Sequence, residues 1–162
     1  MGTEEEAREI VRLFPDYADT VVWLDGPVDY RLSGLSRRLI EELREWERSY
    51  YQSLTPGFDW RSPELAHQFT VDGNHLASRV AEELGDGYEV EFRSYEPGAA
   101  TRRFRGTGAV RNPQAVAAFD ELVTALRLNQ DRIASSEARP DGDDESWFAT
   151  ARLSGNTFNP RR

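Results

Sequence analysis

The sequence predicts a small layered domain of the α/β or α+β class, a short mixed sheet of about three to four strands packed by three to four helices. Three observations carry this expectation. The run TVVWL at 20–24 is β-branched and aromatic and apolar on both faces, as in a strand covered from both sides. From Tyr88 to Tyr95, Val90 and Phe92 alternate with Glu89, Glu91 and Arg93, the period of a half-buried strand. Between these two runs the apolar residues step by three and four, the period of a helix. A chain of 162 residues suits one domain and can bury roughly 70% of the surface of its unfolded form. That single domain is expected to cover 1–162, with a flexible acidic loop near 135–146 and a loose C-terminal tail over 155–162.

In chain order, Thr3 and Glu6 have capping-box spacing, and Ala7, Ile10, Val11 and Phe14 follow at helical intervals. The first element is therefore expected to be a helix that stops near Pro15. The first strand is Thr20 to Leu24. Leu35, Leu39, Leu43, Trp46, Tyr50 and Leu54 then define an amphipathic helix capped by Ser36, with Arg37–Glu41 and Arg38–Glu42 on its wet side. Pro56-Gly57 ends it, and FDWRSPELAHQF reads as a connector anchored by Phe58 and Trp60. A further helix is expected from about Thr70 to Leu84, closed by Gly85. Gly73 lies on its apolar face, where a glycine costs about 1 kcal/mol relative to alanine, which points to a close backbone approach. Two strands joined by so long a helical crossover are expected to be parallel. Beyond them come a strand through Arg102 to Arg105 and a helix opened by Asn112-Pro113 with Val116, Phe119, Val123 and Leu126 as its stripe. The last expected strand is Trp147 to Leu153.

Composition removes whole classes of chemistry. There is no cysteine, so thiol nucleophiles, thiolate zinc sites and disulfides are excluded. Thr3 to Arg12 is acidic and amphipathic rather than signal-like, and no apolar run approaches the length of a membrane span, so a cytoplasmic protein without membrane contact is expected. A net charge of -9 argues against nucleic acid and suits a basic partner. Every basic residue is arginine, which excludes lysine-dependent catalysis.

Two local features remain. Asp25 and Asp29 follow the first strand in WLDGPVDY, with Tyr30 beside them, where an open α/β sheet binds ligands. They could be an acid pair, but Asp25-Gly26-Pro27 is also ordinary turn chemistry. The haloacid dehalogenase pattern needs a nucleophilic aspartate where Trp23 stands. Arg102, Arg103, Arg105 and Arg111 form a basic cluster against the global charge, suited to an anion or to the chain's own carboxylates. His67 and His75 lack zinc-peptidase spacing, GTG at 106–108 lacks the third glycine of a dinucleotide loop, and DGDDE at 141–145 lacks the key calcium-loop positions. Asp25, Asp29, Tyr30, Arg102, Arg103 and Arg105 are thus the partner- or ligand-binding candidates; no catalytic residue, metal ligand or cofactor is expected.

The succession WLDGPVDY, GLSRRLIEELREWERSYYQSL, DW and FTVDGNHLASRVAEELGDGYEVEF resembles a group of small acidic actinobacterial proteins, some of them similar to the immunity proteins of polymorphic toxin systems. The resemblance covers about residues 20–95 and supplies no catalytic residues. It implies a non-catalytic protein-binding protein of the immunity type, neutralising a toxin by binding it, with a basic toxin domain as partner. The competing expectation is a small α/β enzyme or ligand-binding domain that holds an anionic molecule with Asp25, Asp29 and arginines.

Overall fold

A computed structural model describes residues 8–137. In chain order its elements are β1 (Glu9–Leu13), β2 (Val22–Leu24), β3 (Gly26–Pro27), α1 (Tyr30–Ser33), α2 (Arg37–Gln52), α3 (Pro63–Leu84), β4 (Tyr88–Phe92), β5 (Arg102–Phe104) and α4 (Pro113–Glu137), with a 3-10 turn over Gly85–Gly87. The chain divides into two compact units, Met1–Ala125 and Leu126–Arg162. The first holds the sheet and α1 to α3; the second, within the described residues, is the final stretch of α4. The Thr3–Glu6 capping box, the acidic loop beyond 137, the strand over 147–153 and the tail over 155–162 lie outside the described residues.

The sheet runs in the order β3-β2-β1-β4-β5, four strands of three residues or more and a two-residue edge. β1 and β4 are parallel and every other pair is antiparallel. This mixed sheet with its helices makes an α+β domain. On one face Val11, Leu13, Val22, Val90 and Phe92 are buried. The other face carries a charged row in which Glu91 lies between Arg12, at 3.4 Å, and Arg103, at 3.0 Å.

Two expectations are corrected here. Residues 9–13 form a strand, not part of a helix. Ile10, Val11 and Phe14 fit helical spacing, but Val11 and Leu13 are the buried pair and Arg12 between them is exposed, which is the alternation of a strand. Two flanking strands supply hydrogen bonds that a five-residue pattern cannot reveal. The second correction follows from the first. The strand at 22–24 does not pair with β4; β1 sits between them, antiparallel to β2 and parallel to β4, so β2 and β4 run in opposite directions. Trp23 is half-buried on the outer face because its ring stacks on Phe14 at 4.7 Å and its Nε1–H donates to the Phe14 carbonyl.

The helices follow the sequence more closely. Ser36 Oγ accepts from Leu39 N and opens α2, whose Leu39, Leu43 and Trp46 are buried. α3 begins earlier than its apolar stripe suggests, because Ser62 caps it and Pro63 occupies the first turn. The connector expected through residue 69 is therefore helical from Pro63 onward. Gly73 makes the expected close approach: a Cβ there would stand 2.5 Å from Phe92 Cε1 and 2.8 Å from Trp46 Cζ2. Asn112 opens α4 by accepting from Ala115 N, and its Nδ2 donates to the Gly34 carbonyl and to Glu83 Oε2. That same carboxylate oxygen accepts from Ser36 N, so one glutamate of α3 ties down the starts of α2 and α4. α4 continues through Glu137, into the first residues of the segment expected to be a loop.

Candidate functional site

The second face of α2 is what makes a site. Arg44, Glu47, Arg48 and Tyr51 recur at intervals of three, one and three, on a stripe distinct from the buried Leu39, Leu43 and Trp46. Opposite this stripe lie the β1–β2 connection, with Asp19 and Thr20, and the start of α1, with Asp29 and Tyr30. Together they enclose an open groove of about 720 Å³.

Each polar group in the groove has a definable state. Asp29 caps α1, its Oδ1 accepting from Arg31 N and its Oδ2 pairing with Arg31 Nη2 at 2.9 Å. Those bonds from Arg31 hold its carboxyl below the usual value of 3.8. Tyr30 is buried, its hydroxyl accepts from Val21 N, and burial pushes its phenol up. The Arg44 guanidinium lies over the Tyr30 ring at 5.1 Å, and Arg48 pairs with Glu45 at 2.6 Å. Glu47 differs from these. Its Oε2 is buried and has no hydrogen-bond partner, and burial followed by the charge of Asp19 raises its pKa above the usual 4.5.

At the Tyr51 end the groove opens onto a group of aromatic side chains. Tyr51 accepts a hydrogen bond from Tyr17 N and its ring lies 5.4 Å from that of Tyr17. Tyr17 in turn meets Phe58 edge-on at 6.4 Å. Behind them Tyr50 packs against Trp60, Phe69 and Tyr95. Burial pushes the Tyr95 phenol up to about 12, and its hydroxyl donates to the Pro15 carbonyl.

The sequence candidates fall into two groups, Asp25, Asp29 and Tyr30 in one and the arginines in the other, and the fold does not bring the two groups together. Asp25 sits at the apex between β2 and β3 with φ 58, and Asp29 and Tyr30 follow at that same edge of the sheet. Arg102 and Arg103 lie on β5, the opposite edge, with Arg105 just beyond. Four strand spacings, roughly 19 Å, separate the two edges. On β5, Arg103 pairs with Glu91 and Glu89, Arg102 covers the ring of Phe104, and nearby Arg111 pairs with Glu82. Much of the basic cluster therefore answers the chain's own carboxylates. His67 stands 3.4 Å from Glu96, and Gly106 of the GTG stretch is buried against the end of α3. Among the described residues no group of three or more histidine, aspartate or glutamate side chains is placed to hold a metal ion, and no helix is long and apolar enough to cross a membrane.

Sequence reasoning missed Glu47, Arg44 and Tyr17 as site residues. The polar stripe at 44, 47, 48 and 51 was the available signal for the first two. Tyr17 gave none, since its place depends on a connection folding back over α2.

A family model described as Serratia CdiI immunity protein-like matches residues 9–95, more than half of the chain. The chain belongs to that family. The matched segment of this immunity protein-like chain runs from β1 past β4 and contains every residue of the groove and of the aromatic group at its Tyr51 end. β5, with Arg102 and Arg103, and α4 lie beyond it. No curated protein matches the chain.

Proposed function

We propose that this chain is a non-catalytic binding protein that neutralises a cognate toxin by occupying it in the cytoplasm. The observation that carries the reading is membership of an immunity protein-like family across the whole of β1 to β4. A net charge of -9 supports a basic partner, because opposite charge steers association and selects against acidic competitors. The rival arrangement, an anionic ligand held by Asp25, Asp29 and the arginines of β5, has little geometric support when those groups stand at opposite edges of the sheet.

The test is direct. Each reading frame neighbouring this gene is expressed as a candidate toxin in a sensitive host with and without the chain, and the purified pairs are mixed and sized by light scattering. Rescue of growth together with a stoichiometric complex is expected. Undiminished toxicity with no complex would sink the reading.

A further inference from the structure

Two exposed aromatic residues of this protein adopt a backbone conformation that their side chains disfavour. Tyr17 has φ 47 and Phe58 has φ 66, in the left-handed region where glycine and asparagine are at ease. They come from different connections, β1–β2 and α2–α3, yet their rings meet. Tyr17 is 75% exposed and Phe58 67% exposed, so neither ring repays its conformational cost by burial. Backbone strain retained by large apolar side chains in water points to a use outside folding.

The charge around these rings has one sign left over. In the adjoining groove Arg31 is engaged by Asp29, Arg44 by the face of Tyr30 and Arg48 by Glu45. Glu47, one turn before Tyr51 on the same face of α2, keeps a buried carboxylate oxygen with no hydrogen-bond partner, and Asp19 lines the same groove. Asp16 adjoins Tyr17 in sequence. Ring faces carry partial negative charge, so aromatic rings with carboxylates behind them form a receptor for a guanidinium or ammonium group.

We propose that Tyr17, Phe58 and Tyr51 form the docking shelf for a basic protein partner, whose arginine or lysine side chain lies across the rings and reaches Glu47 and Asp19 in the groove. The proposal rests on the binding function above and adds to it the place and the chemistry of contact. The net charge of -9 and the inclusion of every shelf residue in the matched segment 9–95 favour a basic protein surface over an anionic membrane, which this acidic rim would repel.

The probe is an amidated octa-arginine peptide titrated into the 15N-labelled full chain. Shifts are expected to concentrate on residues 16–20, 47–51 and 57–59. The double variant Tyr17→Asn with Phe58→Asn should weaken that binding by about tenfold. Asparagine accepts positive φ, so this variant is expected to keep its fold, and an unchanged thermal midpoint checks it. Glu47→Gln should weaken binding in the same direction. Shifts spread evenly over the acidic surface, including Glu41 and Asp86, or unchanged affinity in the double variant, overturn the shelf. The toxin assay separates the two ideas. Rescue that survives the double variant keeps the immunity function and removes the shelf, whereas absence of rescue with localised peptide binding keeps the shelf and removes the toxin as its occupant.

Discussion

Gly73 and Glu47 show how single positions in this molecule are constrained by their surroundings. Gly73 lies where α3 crosses the rings of Phe92 and Trp46, which themselves meet at 5.5 Å, so the glycine has no room for a methyl group. Gly73→Ala lowers the backbone entropy of the unfolded chain, which should help, yet forces those rings apart. The packing effect should win, with a net loss of about 1–3 kcal/mol read from the urea midpoint. Glu47 poses a question of pH. Because its pKa is raised on folding, the folded state holds this proton more tightly than the unfolded chain. Stability from this group is therefore fully present below its usual value of 4.5 and is lost as pH rises through the folded value. Glu47→Gln should make the free protein more stable than the parent near neutral pH, with the two converging below about pH 4. Thermal midpoints across that range check it, and a variant destabilised at neutral pH would show that the carboxylate is satisfied after all.

At the scale of elements, caps and helical stripes were legible and β1 was not. Ser36 and Asn112 open their helices by accepting from an N–H three residues on, and Gly85 closes α3 with the positive φ that glycine adopts freely, so each boundary is set by neighbours within one turn. β1 is decided by residues almost 80 positions away, since Glu9 to Leu13 pair in register with Tyr88 to Phe92. Its short sequence satisfies both periods, and only the partner strand selects one. The parallel pairing expected for the strand at 22–24 belongs to β1 for that reason. Asn112 joins the two kinds of information, a local cap whose amide also reaches Gly34 and Glu83. Asn112→Ala should cost about 1–2 kcal/mol, more than an isolated cap, because Glu83 Oε2 loses a donor between two helix starts. Asn112→Asp should keep the cap and still destabilise, by placing a carboxylate against Glu83. Chemical denaturation of both variants separates the contributions.

At the scale of the whole molecule, charge excess and aromatic exposure point the same way. An acidic chain meeting a basic partner should associate faster at low salt, the rate falling as ionic strength rises while dissociation changes little. Stopped-flow measurement with the purified toxin domain checks this, and a salt-independent association rate would count against electrostatic steering. The sequence by itself determined the apolar stripes of α2 and of the later part of α3, the caps at Ser36, Gly85 and Asn112, the strand that begins at Tyr88, the glycine contact at Gly73 and the exclusion of thiol and lysine chemistry. Each follows from residue type or from spacing along one element. Tertiary structure decided that β1 is the central strand, that Asp25 and Asp29 stand at the far edge from Arg102 and Arg103, and that Tyr17 meets Phe58 beside Glu47. These are relations between segments that approach only when the sheet closes and α2 packs beside it, and spacing along a chain does not carry such distances.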